Sequence, residues 1–333
     1  MVYTRATVGS TPLDDFVKVI PGIYAEPDKK RSIWDVWLHA NHHASAIGEE
    51  VRKNKPGGKL LQEIADFSMW LFTFLGKVAG TYGEDQRGSE SPQESLIRVR
   101  LSFSDMLWYK YPAMCPVCYW RRSGGGDRDR ETSKFFRNSC DCLLYDVESR
   151  NQDEKRKHVV ALRGFAEDGG AEKPTSVDDF QKLFTSIFSP NLRHLDLDDI
   201  AFHLLEEMGE VSDAMVRTYT YSGKVEQGEP SWRQVWLEEE IADVTSWLFA
   251  LVEKLNLVIE TADEYDAWRS GEPSPGRERF TLSQIIWKRY GSDALKAFYC
   301  PHGPSQLECS CPIVIFPYDV SLDELRAAFS PPS

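Results

Sequence analysis

The chain has 333 residues, 41% of them hydrophobic and 12% aromatic, which is enough for about two packed domains and excludes a disordered chain. Its net charge of −13 provides no broad basic surface for nucleic acid, and no apolar run approaches the roughly 20 residues of a membrane-spanning helix. The first residues, MVYTRATVGSTPLDDF, lack the apolar stretch of a signal peptide. We therefore expect a cytoplasmic protein whose seven cysteines stay reduced.

Helical periodicity is the main secondary-structure signal along the chain. Apolar side chains recur every three or four residues in residues 64–75, 200–215 and 232–255. Asp198 or Asp199 is a candidate cap for the second of these segments. The polar, Gly/Pro/Ser-rich stretches 80–95, 123–139 and 264–277 are predicted loops. Because no alternating strand exceeds four residues, the predicted class is all-α.

The chain contains an internal repeat. Glu63-Ile-Ala-Asp66, followed by Trp70, recurs 177 residues later as Glu240-Ile-Ala-Asp243, followed by Trp247. Three further matches keep the same order: His42 and Gly48-Glu49 with His203 and Gly209-Glu210 at an offset of 161, Ser104–Trp108 with Ser283–Trp287, and the CDC at 140–142 with the CSC at 309–311. These matches predict two copies, residues 16–145 and 177–318, joined by a charged linker at 146–176.

The second copy carries two acidic motifs on consecutive predicted helices. Glu207 and Glu210 are three residues apart on one helix, and Glu240 and Asp243 repeat that spacing on the next. If the helices pack antiparallel, the four carboxylates converge, and a divalent cation such as Mg²⁺ or Mn²⁺ would offset their repulsion. Glu206 lies beside the first pair. The alternative is an ordinary solvated helix face.

This order of EExxE, spacer and ExxD resembles the MazG-like nucleotide pyrophosphohydrolases, an all-α superfamily that includes the dimeric dUTPases. The surrounding words LLEEMGEVSDAM and LEEEIADVTSWLFALVEKLNL agree with it. The Trp-x-x-Tyr followed by CPxC and CxC also looks like the tail of some small MazG-like proteins. The resemblance covers most of both copies.

The resemblance implies Mg²⁺-dependent (or Mn²⁺-dependent) hydrolysis of an NTP or dNTP to the monophosphate and pyrophosphate. It assigns the metal to Glu207, Glu210, Glu240 and Asp243, and makes Glu206 or Glu207 the residue that orients or deprotonates water. Family members usually form dimers, so a fused pair would form an intramolecular pseudo-dimer. A further homo-oligomer would also be compatible with the sequence.

The first copy departs from this pattern. In the 161-residue alignment, Ser45 and Ala46 stand where the second copy has Glu206 and Glu207. The remaining members of the degenerate site are Glu49, Glu63 and Asp66. We interpret the first copy as a catalytically inactive scaffold.

Short-spaced cysteines predict one structural zinc knuckle in each copy, about two Zn²⁺ per chain. The predicted ligands are Cys115, Cys118, Cys140 and Cys142 in the first copy, and Cys300, His302, Cys309 and Cys311 in the second. The alternative is a set of buried thiols.

Two other functions remain open. One is a pseudoenzyme that binds a nucleotide or partner through the same pocket without turnover. The other is a zinc-bearing module that binds nucleic acid, for which RRSGGGDRDR at 121–130 is locally basic, although the overall charge opposes it. We expect neither nucleic acid nor a membrane as a partner.

Overall fold

The computed structural model describes residues 9–23, 28, 30–53, 57–79, 97–116, 118–119, 152–168, 171–220, 232–270 and 279–290. Within these ranges the chain is helical, with one isolated β-bridge between Pro12 and Ser176 and no strand, so the predicted all-α class is confirmed. None of the described helices is both long and apolar enough to cross a bilayer.

The described helices are numbered here in chain order. They are α1 (Leu13–Ile23), α2 (Ile33–Arg52), α3 (Gly58–Val78), α4 (Phe103–Lys110), α5 (Gln152–Glu167), α6 (Val177–His194), α7 (Leu197–Thr220), α8 (Trp232–Ser270) and α9 (Leu282–Tyr290). Helix α8 continues past the periodic segment that ended at residue 255 and includes 264–270, which the sequence had predicted as loop.

Side-chain caps fix where several helices begin. Ser32 starts α2 with a capping box, in which its hydroxyl accepts from the Asp35 N–H and the Asp35 carboxylate accepts from the Ser32 N–H. Ser102 and Ser176 cap α4 and α6 with their hydroxyls, which accept from the N–H groups of Asp105 and Asp179. At the start of α7, the Asp199 carboxylate accepts from the backbone N–H three residues earlier, so Asp199 is the capping member of the predicted pair.

The segment predicted as a linker contains helix α5, which packs against α4. The Trp108 indole N–H donates to the Ala166 carbonyl at 3.3 Å. Arg163 forms ion pairs with Glu238 at 3.0 Å and with Glu239 at 3.5 Å, both on α8. Helix α5 therefore bridges the two halves of the chain.

Helices from the two halves pack against each other around one continuous core. Helices α2 and α3 form one hairpin, α7 and α8 form another, and α2 packs on α7, where the Trp37 indole N–H donates to Ser212 Oγ at 2.8 Å. The smaller helices are exchanged: α4 of the first half packs on α8, and α9 of the second half packs on α3. Each half therefore covers part of the acidic hairpin of the other.

The burial pattern revises the alignment of α2 with α7. An offset of 164 residues, not 161, superposes the buried positions of α2 on buried positions of α7: Val36, Trp37, Ala40, Ala44, Ile47, Glu50 and Val51 on Ile200, Ala201, Leu204, Met208, Val211, Ala214 and Met215. The same pairing matches the His39–Trp70 stack (4.2 Å between ring centroids) with the His203–Trp247 stack (4.5 Å between ring centroids). The predicted match of His42 with His203 is therefore three residues out of register.

The same offset extends to the start of both halves. Leu-Asp-Asp-Phe at 13–16 matches Val-Asp-Asp-Phe at 177–180. Asp14 accepts a hydrogen bond from the Ser104 hydroxyl at 2.6 Å, and Asp178 accepts one from the Ser283 hydroxyl at 2.7 Å. The match between the two halves therefore extends to Leu13, three residues before the predicted boundary at residue 16.

Candidate metal centre

Three of the four predicted carboxylates converge between α7 and α8. One oxygen each from Glu207, Glu210 and Glu240 lies within 4.8 Å of the other two. The helices run antiparallel here, since the Trp247 indole, two turns beyond Glu240, reaches back to Glu207 Oε1 at 3.3 Å. The i, i+3 spacing on α7 places its two glutamates on the face that meets α8.

Burial and mutual repulsion shift the protonation of this group. Burial, reinforced by the charges of Asp243, Glu240 and Glu210, raises the pKa of Glu207 to about 9. Burial also raises the pKa of Glu240 to about 8, although the nearby Lys110 acts in the opposite direction. At neutral pH the metal-free group therefore holds protons, and a divalent cation would replace them.

Asp243, the fourth predicted ligand, is held by side chains of the first half. Lys110 Nζ lies 3.0 Å from Asp243 Oδ2 and 3.1 Å from Glu239 Oε2. The Tyr111 hydroxyl donates to Asp243 Oδ1 and lies 3.3 Å from Ser246 Oγ. Burial opposes the charge on Lys110, but the surrounding carboxylates outweigh it and hold the Lys110 pKa well above its usual value. Both oxygens of Asp243 are thus engaged within the protein.

A cavity of about 360 Å³ opens beside the carboxylates. Its walls come from the first half, from α5 and from the second half, and they are mostly apolar apart from the acidic edge. The apolar members include Leu162, Phe188, Leu192, Leu195, Trp236 and Trp247. Its volume is in the range of about 300–1,000 Å³ that is usual for small-molecule sites.

Glu206 does not join the carboxylate group. Its side chain is 53% exposed and lies 3.1 Å from His203 Nδ1, one turn earlier on α7. The position of Glu206 therefore does not support its predicted role beside the metal, because its side chain points away from α8. Glu207 is the glutamate of that pair that faces the cavity.

The corresponding group in the first half differs from the predicted one. Glu49 is 55% exposed and forms an ion pair with Lys53 at 2.7 Å, so it lies outside the degenerate site. In the corrected register His43 stands at the position of Glu207, and His43 Nδ1 lies 2.8 Å from Glu63 Oε2. His43, Glu63 and Asp66 form the cluster that matches the acidic group of the second half.

Asp66 is held as Asp243 is, but by the second half. Arg289 makes two hydrogen bonds of 2.7 Å to the two oxygens of Asp66, and the Tyr290 hydroxyl donates to the same carboxylate. Asp66 and Arg289 are both buried. Lys110 and Tyr111 of the first half thus bind the aspartate of the second half, and Arg289 and Tyr290 of the second half bind the aspartate of the first.

Polar residues in the first half replace the apolar cavity wall of the second. At the positions of Leu192 and Leu195 the first half has Asp28 and Arg31, which form a 2.5 Å ion pair. The Arg31 guanidinium also lies over the ring of Trp70, the counterpart of Trp247. Burial raises the pKa of Asp28 despite this partner. An apolar ligand that suits the second-half cavity would meet charges at the matching place.

The predicted zinc ligands lie largely outside the described residues. Cys140, Cys142, Cys300, His302, Cys309 and Cys311 belong to that undescribed part of the chain. Cys115 and Cys118 are both buried, and Cys115 also lines the cavity. The zinc knuckles therefore stay a prediction.

Sequence reasoning missed the basic and phenolic partners of the two aspartates. Their signal was present as Trp-Tyr-Lys-Tyr at 108–111 and Trp-Lys-Arg-Tyr at 287–290, each with a cation directly before the tyrosine. That each pair reaches the other half could not be inferred from spacing within one copy.

Comparison of the chain with protein-family models, with curated protein sequences and with solved structures finds no significant match. Any function must therefore be inferred from the residues and from the geometry of the site.

Proposed function

We propose that this chain is a Mg²⁺-dependent pyrophosphohydrolase that cleaves an NTP or dNTP to the monophosphate and pyrophosphate. The observation that carries the proposal is the convergence of Glu207, Glu210 and Glu240 at the edge of a largely apolar cavity. Carboxylate oxygens on two rigid helices suit Mg²⁺ or Mn²⁺. A triphosphate needs such a cation, and a base or sugar needs an adjacent apolar surface.

In this proposal the carboxylates bind the metal and orient water, and the apolar wall of the cavity binds the nucleoside. A bound divalent cation would supply a Lewis acid for phosphate oxygens and a more acidic water. Glu207 faces the cavity from the acidic group, so we assign to it the orientation of water that the sequence had divided between Glu206 and Glu207. Trp236 and Trp247 offer aromatic faces to the nucleoside.

The two halves are, in this proposal, diverged copies of a MazG-like module that form an intramolecular pseudo-dimer. The shared burial pattern of α2 and α7 and the exchanged contacts of α4 and α9 support it. Each copy would carry a structural zinc knuckle built from its CPxC or CPH and CxC segments.

The test is a panel of ribo- and deoxyribonucleotides incubated with the protein and Mg²⁺ or Mn²⁺. Ion chromatography should identify a monophosphate and pyrophosphate as first products. Orthophosphate as the first product, with contaminating pyrophosphatase excluded, would contradict the assignment.

A second candidate is a nucleotide-binding protein without turnover. The engagement of both Asp243 oxygens by Lys110 and Tyr111 favours it, because one predicted metal ligand is already occupied. Calorimetry with nucleotide and Mg²⁺ separates the candidates. Binding without product over hours would support the second candidate.

A further inference from the structure

Each half of the molecule supplies one cation and one tyrosine to the aspartate of the other half. Lys110 and Tyr111 bind the two oxygens of Asp243, and Arg289 and Tyr290 bind those of Asp66. These partners are 132 to 224 residues apart in sequence. The arrangement occurs twice at equivalent positions, so it is a property of the assembled pair of halves.

The charges around the second-half site decide what an external cation must neutralise. Lys110 Nζ lies within 3.1 Å of both Glu239 and Asp243, and its side chain is only 16% exposed. A buried ammonium at hydrogen-bonding distance from two carboxylates is a strong, fixed electrostatic partner. Glu207, Glu210 and Glu240 are the carboxylates of this site whose oxygens remain grouped for a cation.

We propose that Lys110 is a positioning residue that takes the place of a second divalent cation, so that the site binds one metal ion and requires both halves. Asp243 then acts as the partner of Lys110 and not as a metal ligand. The proposal deepens the proposed function, because it specifies the metal content of the same site.

The test counts Mn²⁺ ions bound to the full-length protein without nucleotide, from the electron paramagnetic resonance signal of free Mn²⁺. Other Mn²⁺ sites are subtracted with a Glu207→Gln/Glu240→Gln variant. The expected difference is one ion per chain. A difference of two would overturn the proposal.

Two variants test the role of Lys110 directly. Lys110→Met removes the ammonium from Asp243 and Glu239 and leaves Tyr111 and Arg163 as their remaining partners. The two carboxylates can then hold a second cation, so the count should rise to two ions. Lys110→Met/Asp243→Asn removes the ammonium and one freed ligand together, and should return the count to one. Lys110→Arg, which introduces the residue found at the matching position 289, should keep the wild-type count. A count of one in a folded Lys110→Met protein would contradict the proposal.

A second comparison applies if Lys110→Met does not fold, as judged by circular dichroism. Asp243→Asn changes a residue outside the proposed ligand set and should weaken Mn²⁺ binding by about tenfold, whereas Glu210→Gln removes a ligand and should weaken it by more than about 100-fold. Equal losses would show that Asp243 is a ligand and overturn the proposal. The metal count is made without nucleotide and turnover is measured separately with the nucleotide panel, so one bound Mn²⁺ in a protein without turnover would contradict only the proposed function. Turnover with two bound Mn²⁺ would contradict only this inference.

Discussion

The side chain of Glu207 combines a large upward pKa shift with a central position in the site. It lies between Trp247, Glu210 and Glu240, and its charged form is opposed by burial and by its acidic neighbours. Shifts of this kind cluster at functional sites, because grouped and partly buried carboxylates repel one another and do not stabilise a core.

Glu207→Gln should abolish most of the proposed hydrolysis. The change removes a charged oxygen ligand while keeping the size of the side chain, so we expect activity to fall by about 100-fold or more with helicity unchanged. Glu49→Gln is the matched control, since Glu49 is exposed and paired with Lys53. Steady-state rates and circular dichroism provide the measurement. Similar losses in the two variants would contradict the assigned site.

The stability of the metal-free protein should fall as pH rises through the neutral range. The folded-state pKa values of Glu207 and Glu240, about 9 and about 8, exceed the ordinary value of 4.5. Between these values the folded state holds more protons than the unfolded state, so raising the pH favours unfolding. As Glu207 and Glu240 lose their protons, a bound divalent cation should offset more of the repulsion between the carboxylates and so restore more of the stability. Thermal melting at pH 6 and pH 8.5, with EDTA or with Mg²⁺, should show a larger Mg²⁺ effect at the higher pH.

The short helices α4 and α9 determine how the two acidic hairpins are covered. Each is shorter than ten residues. Helix α4 ends at Lys110, directly before Tyr111, and helix α9 ends at Arg289-Tyr290. Each cation–tyrosine pair contacts the hairpin of the other half. Helices of this length are marginal alone, so their stability comes from packing and from these buried contacts.

Asp66→Asn should destabilise the protein, although Asp66 is not part of the proposed metal site. The change leaves the buried guanidinium of Arg289 without its charge partner, at a cost on the order of 3 kcal/mol. Asp213→Asn, on an exposed surface pair with Arg217, serves as the control and should leave stability nearly unchanged. Chemical denaturation of both variants measures the difference. An unchanged midpoint for Asp66→Asn would show that the α9 contact is dispensable.

The assembled chain places Cys115, one of the predicted zinc ligands, in the wall of the cavity. Cys115 both belongs to a predicted knuckle and lines the cavity, together with residues from α5 and from the second half. The first half therefore contributes Lys110, Tyr111 and Cys115 to the cavity wall, a contribution that the sequence analysis did not predict.

Purified protein should contain close to two Zn²⁺ per chain without added metal. The seven cysteines and His302 are spaced along the sequence as two sets of four potential zinc ligands. Cys118→Ser should lower both the zinc content and the melting temperature, since structural zinc contributes folding free energy. Elemental analysis of carefully prepared protein measures the content. Protein without zinc that melts normally would contradict the prediction.

The sequence alone determined the helical class and the shared helix face of Glu207 and Glu210, whereas their meeting with Glu240 also required the antiparallel packing of α7 and α8. The helical class and the shared face depend on local periodicity, because residues three or four apart share a helix face wherever the helix packs. The register of α2 was less certain, because a shift of three residues rotates a helix by about 300°, close to a full turn. A hydrophobic pattern therefore tolerates such a shift, and the burial pattern of the two helices together with the stacking of His39 on Trp70 resolves it.

Only the tertiary structure decided the role of the two aspartates and the exclusion of Glu206. Lys110 and Asp243 meet across 133 residues, and no local period links the end of α4 to the middle of α8. Glu206 differs from Glu207 by one residue, which rotates its side chain by about 100° away from the partner helix. Which charges become buried together depends on how the halves pack, because burial strengthens every electrostatic contact and is set by the whole assembly.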